Sequence, residues 1–376
     1  MMLTRLVGPL VKIQITLLID NVGVKDYFYE SVFNLTDNVF NFSSAIEKRC
    51  ISVAGILIEC RFAGDALLPI IMPALEHLLI DSCKKQPDYK IDIWDSESTQ
   101  MEFPASPCGI DEILVRGELE GFNSERFEVA FFTHARMLIV LDHDLKRGVV
   151  CLATSLEIPA FELACPLRGI LSWILRRNDT VMIHAASVGT PDGCLLIGGK
   201  SGAGKSSTAL RGLAGGLYYF GDDICAISNR LNSPTVFGIY SSGKTFSSDL
   251  KLFPTLKSSI HSHFEEFYEK EVYFFYNQFQ GQLPLSGKIK AVIIPFQDAT
   301  LTIGFEKIPY ANALSVICSS TKNLLPHAGN EMFQILASIL HQVPCYRFNL
   351  GNDPSLIADS LANFISSLKP SHRKNE

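Results

Sequence analysis

Residues 194–207 read Cys-Leu-Leu-Ile-Gly-Gly-Lys-Ser-Gly-Ala-Gly-Lys-Ser-Ser. Gly199, Gly204, Lys205 and Ser206 fall at the spacing GxxxxGK[ST], the Walker A pattern, after an apolar strand and before a helix expected from Ser206 to about Leu213. Glycines at 199, 202 and 204 let the backbone curl until successive N–H groups point at one anion. The helix adds its positive N-terminal end. In such a P-loop, Gly199, Lys200, Ser201, Gly202, Ala203, Gly204, Lys205, Ser206 and Ser207 line the phosphates. Lys205 supplies a point charge for the β- and γ-phosphates, and the Ser206 hydroxyl ligates Mg²⁺. ATP and Mg²⁺ are therefore the expected cofactors. A glycine-rich turn with an incidental lysine is the bland alternative, disfavoured because strand, loop and helix coincide with every motif position.

Gly221-Asp222-Asp223 follows one helix later. Paired carboxylates at a strand edge this near the loop can divide two tasks, one holding Mg²⁺ and the other accepting a proton from an attacking hydroxyl. A solvent-facing acidic loop is the competing reading. Two nucleotide-binding classes do not fit. Thr321-Lys-Asn323 lacks the aspartate of a guanine-reading NKxD motif, and Leu285-Ser-Gly287 is only a fragment of the LSGGQ helix start of transporter ATPases.

The run from Ile183 (IHAASVG) through GGKSGAGKSS at 198–207 to GDD at 221–223 resembles the HPr serine kinase/phosphorylase group, and more closely the HPr-kinase-like proteins outside sugar regulation. The resemblance covers about Leu171 to Leu368 and weakens after Asp223. It implies the nucleotide domain shared with ATP-dependent phosphoenolpyruvate carboxykinase. It also implies Asp222 as general base, Asp223 as metal-side carboxylate, the two roles being exchangeable, and His184 beside the reacting phosphate. Ser207 stands where true HPr kinases carry a glutamate, which puts a second metal site and reverse phosphorylase chemistry in doubt. The segment typical of enzymes acting on HPr itself is missing. The resemblance thus points to a serine of a peptide or small protein as acceptor, a small-molecule alcohol being the variant. A regulatory or assembly module that binds ATP without kinase turnover is the rival class.

Several residues admit a functional and a structural account. His184 is a phosphate neighbour or a hydrogen-bonded core histidine. Lys244, after Tyr240-Ser-Ser-Gly, reaches transferred phosphate or is an ordinary surface lysine. Arg347 needs an anionic partner, either phosphate or a structural carboxylate such as Asp353. Ser319-Ser-Thr-Lys322 is read as a cap for the helix near Asn330 before a substrate contact. The aromatic cluster Phe264 to Phe279 is read as buried packing before a groove.

The elements that must position these residues suit a chain of 376 residues with 47% hydrophobic composition, enough for two cores. Charged residues at 19% and a net charge of −6 exclude a disordered chain and a general nucleic-acid binder. The ten cysteines are scattered singly, supporting neither a disulfide framework nor a zinc site, and reduced thiols imply a cytoplasmic protein. The N-terminus lacks the features of a signal peptide, and the most apolar stretch, Leu67 to Ile80, is too short to span a bilayer. No membrane partner is expected, and homo-oligomerisation stays open.

Alternation predicts strands at Val11–Leu17 and Tyr89–Trp94; Ile51–Phe62 reads as a mostly buried strand, Glu128–Leu141 and Gly148–Thr154 as a strand pair joined by the polar turn Asp142–Arg147, and Leu67–Cys83 as a helix. A helix at Pro166–Arg177 bridges to strands Thr180–Val188 and Cys194–Gly198, joined by the turn Thr190-Pro-Asp-Gly193. Strands at Gly221–Ser228 and Lys288–Phe296 follow, then helices at Ala311–Ser319, Gly329–His341 and Asp353–Leu368. The expectation is an α/β fold: a β-rich α+β domain over 1–165, a P-loop domain with a mixed sheet over 166–368, and a polar tail over 369–376.

Overall fold

The computed structural model describes residues 23–81, 85–230, 233–246, 253, 270–298, 300–322, 324–326 and 329–368. The strand expected at 11–17, the first part of the aromatic cluster and the C-terminal tail lie outside them. The fold is mixed α/β. Its first sheet has six strands in the order β1-β2-β3-β6-β5-β4: β1 Ile46–Val53, β2 Ile56–Ala63, β3 Tyr89–Asp95, β4 Phe127–Phe132, β5 Met137–Asp142 and β6 Arg147–Leu152. Helix α1 (Val24–Phe42) covers one face, where Phe28, Val32 and Val39 pack on Trp94, Leu138 and Val140. Helix α2 (Arg168–Arg176) covers the other, with Ile170, Leu171 and Ile174 against Ile91, Ile93 and Ile139. Period-two alternation along β3 therefore serves two cores at once.

The second sheet has nine strands: β7 Thr180–Ile183, β8 Ala186–Thr190, β9 Gly193–Ile197, β10 Tyr218–Gly221, β11 Cys225–Ser228, β12 Thr235–Phe237, β15 Ser286–Phe296, β16 Gly304–Ile308 and β17 Cys345–Asn349. A separate ribbon pairs β13 (Ser242–Phe246) with β14 (Lys270–Phe274). Strand β15 is the spine, parallel to β9 on one edge and to β17 on the other. Helices α3 (Lys205–Ala214) and α6 (Ile357–Ser367) pack Leu210, Leu213, Leu361 and Ile365 on Leu195 and Ile197. Helices α4 (Tyr310–Lys322) and α5 (Asn330–Leu340) pack Ile317, Leu336 and Ile339 on Leu196 and Val292. Each fully buried leucine or isoleucine in these layers contributes about 1.5–3 kcal/mol relative to exposure. The α2 core continues past the first sheet to Met182, Ile224, Tyr240 and Val272, so the two halves share apolar packing.

Several expected elements are divided. The 51–62 strand is a hairpin, because Ala54 and Gly55 both turn through positive φ (50° and 82°). The helix over 67–83 is three short helical turns, Leu68–Ile71, Met72–Ala74 and Glu76–Leu78; proline at 69 and 73 removes the donors a continuous helix needs. The 128–141 strand folds back through Thr133–Ala135, with Arg136 at φ 42°. The 180–188 strand breaks at His184 and Ala185. The 221–228 strand likewise breaks, with Asp222–Ile224 separating β10 from β11. Eight cysteines are free among the described residues, whereas Cys50 is disulfide-bonded, against the expectation of unpaired thiols. A bridge depends on Cα separation in the fold, which no sequence spacing displays. No helix among the described residues is long and apolar enough to cross a membrane.

Candidate functional site

The 199–206 segment leaves β9 and enters α3, with Gly202 at φ 79° and Gly204 at φ 93° as the N-cap. A side chain is strained at either position, and a Cβ on Gly204 would lie 2.9 Å from Leu350 Cδ1. The short amphipathic helix α3 is held by its buried face rather than by length, so the loop is anchored from behind by α6 and β8–β9. Lys205 folds over the loop: its Nζ donates to the carbonyls of Gly199 at 2.8 Å and Lys200 at 3.2 Å. Burial pulls its pKa below the usual lysine value, against the opposing pull of Asp222 and Asp223.

Two broken strands face each other beside this loop. Ala185 N donates to Ile183 O at 3.0 Å, making a three-residue turn centred on His184. Ile224 N donates to Asp222 O at 2.8 Å, making a second one centred on Asp223, which sits at φ 70°. A non-glycine residue there is strained by roughly 1–3 kcal/mol, a cost that the surrounding structure must enforce. The turns interrupt the antiparallel pairs β7–β11 and β8–β10 at matching places. Three side chains whose strands would otherwise bury them in alternation are thereby aimed at one space.

Asp222 and Asp223 have opposite surroundings. Asp222 is 2% exposed; its Oδ1 accepts the Asp223 N–H at 2.8 Å, and its buried Oδ2 has no hydrogen-bond partner. Burial, reinforced by the charge of Asp223, pushes its carboxyl above the ordinary aspartate value, against a lowering contribution from the Ser206 hydroxyl. Asp223 Oδ1 meets His184 Nε2 at 3.3 Å, and its Oδ2 is ion-paired with Lys244 Nζ. Burial pushes Asp223 up, but the His184 hydrogen bond and the Lys244 charge outweigh it and hold the carboxyl well below the usual range. Lys244 is held above the ordinary lysine value, because the pull of Asp223 overcomes the burial that would lower it. Carboxylates with environments pushed apart in this way suit separate acid–base and electrostatic roles.

His184 is not inside a strand; its side chain, 15% exposed, is hydrogen-bonded to Asp223 as the core-histidine account expects, and its backbone N–H donates to Thr321 Oγ1 at 2.9 Å. Thr321 lies in the last turn of α4, so Ser319–Lys322 does not cap the helix at Asn330. Lys244 is on strand β13, its side chain only 14% exposed, and the surface-lysine account fails. Arg347 lies away from this group. It lies over the Phe296 ring at 4.1 Å and approaches Glu306 at 3.9 Å, so the structural account holds with Glu306 in place of Asp353. Of the aromatic cluster, Phe275 packs edge-on to Tyr219 and Phe279, in keeping with burial. The sequence reading passed over Lys270, whose charge acts on Lys205, and Thr321 as a support for His184. Neither carries a local sequence signal.

A Mg²⁺ ion with its bound phosphates fits these residues. The Ser206 hydroxyl acts on the Asp222 carboxylate, and the orphaned Asp222 Oδ2 is a buried acceptor without a partner. Among the described residues no group of three or more His, Cys, Asp and Glu can hold a metal alone, so phosphate oxygens would have to complete its shell.

No protein-family model matches the chain, and no curated protein matches it. Among solved structures, the chain is similar to the HPr(Ser) kinase/phosphatase from Coxiella burnetii at a TM-score of 0.27 and 10% identity, over 48% of this chain and 92% of that one. A likeness at that level carries no functional argument. The site is therefore read from its own geometry.

Proposed function

We propose that this protein is an ATP-dependent phosphotransferase that moves the γ-phosphoryl group to a hydroxyl, with a serine of a peptide or small protein as the acceptor. The observation that carries the reading is the buried, unpartnered Oδ2 of Asp222 beside Ser206, at the mouth of the 199–206 loop. A raised carboxyl with a free oxygen is poised to take a proton, which a satisfied and strongly acidic carboxylate is not.

The attacking hydroxyl oxygen forms a bond to the γ-phosphorus as the bond to the β,γ-bridging oxygen breaks. The hydroxyl proton passes to Asp222 Oδ2, and ADP leaves with the bond's electron pair. Loop amides and the N-terminus of α3 hold the phosphates, and Lys205 exchanges its loop carbonyls for their oxygens. When bound through Ser206, Mg²⁺ supplies further charge neutralisation on those oxygens. Both Asp223 oxygens already have partners, the His184 ring nitrogen and the Lys244 ammonium, which supports a positioning role for it over the metal-side role implied by the family resemblance. His184, held through that hydrogen bond, lies on the acceptor side in this reading.

The test is transfer from γ-labelled ATP with Mg²⁺ into peptides and metabolites of the native host's extract, with wild type beside Asp222→Asn. A labelled product formed by wild type and reduced about 10²–10⁴-fold in the variant is expected. Mg-ATP binding abolished by Lys205→Ala should accompany it. Equal labelling by wild type and Asp222→Asn would remove the proposed base.

A further inference from the structure

Lys244 reaches the site from an element that the 199–206 loop does not control. It stands on the β13–β14 ribbon, opposite Val272, outside the nine-stranded sheet. The stem before it is fixed from several sides. Tyr240 Oη donates to Pro166 O at 3.0 Å, Ser241 N donates to Ala74 O at 2.8 Å, and the Ser242 hydroxyl donates to Ala164 O. Tyr219 Oη and Phe275 N donate to the carbonyls of Ser242 and Ser241 at 2.6 and 2.7 Å. Three of these five bonds end on residues 74, 164 and 166, so the first half of the chain sets where the Lys244 backbone sits.

The charge pattern shows what is being held. Lys205 and Lys244 both act on Asp222 and Asp223, so two buried ammonium groups bracket the carboxylate pair from different elements. Lys270, on the partner strand of the same ribbon, also acts on Lys205. Asp223 keeps Lys244 protonated inside the fold, so a buried ammonium group stands ready across from Lys205. A dianionic phosphoryl group between the two lysines would meet positive charge from both sides, most usefully when charge spreads over its three equatorial oxygens.

Resting on the phosphotransferase reading, we propose that Lys244 is a catalytic residue, a second buried cation that the ribbon delivers to the oxygens of the phosphoryl group in flight. Asp223 and the Ser242–Ala164 tether are the groups that position it. Lys244 keeps its proton throughout; no bond to it forms or breaks. The first half of the chain is, in this account, a buttress for one catalytic side chain.

The experiment compares full-length wild type, Lys244→Ala, Lys244→Arg and the double variant Lys244→Ala/Asp223→Asn. Each is measured for Mg-ATP affinity and for trapping of Mg-ADP with aluminium fluoride, which mimics the planar phosphoryl group. Lys244→Ala should bind Mg-ATP within about threefold of wild type, yet trap the mimic about 10²–10³-fold more weakly. Lys244→Arg should recover part of that loss. The double variant removes both charges, so it should regain folded stability lost in Lys244→Ala without regaining trapping. Trapping at wild-type strength by either Ala-containing variant would overturn the proposal, leaving Lys244 as the neutraliser of Asp223. An equal loss of Mg-ATP and mimic binding would also overturn it, since the contact would not then be special to transfer. Failure of wild type itself to bind Mg-ATP would instead sink the phosphotransferase reading. Wild type that binds Mg-ATP but traps no mimic would refute the Lys244 role alone.

Discussion

Replacing Asp222 by asparagine should stabilise the folded protein while it removes the proposed base. Asn keeps the Oδ1 acceptor for the Asp223 N–H and the same shape, so the change mainly deletes a buried charge whose Oδ2 has no partner. Burying the charged form is unfavourable and the Asp223 charge adds repulsion, whereas a neutral amide in the same place is cheaper to bury, by about 1–3 kcal/mol. With about 2.1 cal/mol/K of unfolding entropy per residue over 376 residues, a gain of about 2 kcal/mol raises the Tm by roughly 2–3 °C. The sign with pH follows from the raised carboxyl. In wild type, stability is full below the unfolded aspartate value of about 3.9 and is lost as pH rises towards the folded value. The asparagine variant has no such loss. Its advantage should therefore be near zero at about pH 3.5 and open as pH rises. The assay is thermal unfolding in chelator, without nucleotide, across that range. A variant that melts below wild type at neutral pH would refute the reasoning, because the Asp222 carboxylate would then be well satisfied in the native state.

Lys205→Ala should abolish Mg-ATP binding measured by calorimetry, while the Tm in the absence of nucleotide stays close to wild type or rises, since a desolvated cation is removed. Gly204→Ala forces alanine into φ 93° and should cost about 1–2 kcal/mol in urea unfolding, with weaker Mg-ATP binding because the loop shifts. Glu162 is 4% exposed and bonded to Arg168 at 2.7 Å and His134 at 3.4 Å. Burial raises its carboxyl, but the Arg168 and His134 interactions leave it below the ordinary value. Glu162→Gln strands the buried Arg168 charge and should cost about 3–5 kcal/mol in urea unfolding at pH 7. Because a depressed carboxyl contributes stability above its unfolded pKa of about 4.3, that gap should close as pH falls through the acid range.

Much of the site's first half is local, and local features are legible. The strand, the glycines at 202 and 204 and the amphipathic face of α3 lie within twenty-one residues, so short-range rules connect them. Predicted helices at 166–177, 311–319 and 329–341 recur within a few residues for the same reason. The missed breaks share another cause. Ala54–Gly55, Thr133–Ala135 and His184–Ala185 are turns of only two or three residues between buried strands, so the apolar runs on either side read as one. A periodicity argument spanning several residues passes over an interruption that short. The expected long helix at 67–83 failed where its own prolines, which the sequence did show, outweigh apolar spacing.

The sequence by itself determined that a glycine-rich loop with GxxxxGK[ST] spacing follows a buried strand, and that two adjacent carboxylates come soon after. It could not say which carboxylate does what, because their difference is made by neighbours from elsewhere: Ser206 on α3, His184 between β7 and β8, and Lys244 on the ribbon. Adjacent residues of the same type have the same intrinsic acidity. Only the tertiary structure gives one of them a buried oxygen with no partner and the other a histidine and a lysine, and that difference in solvation and charge is what divides their environments.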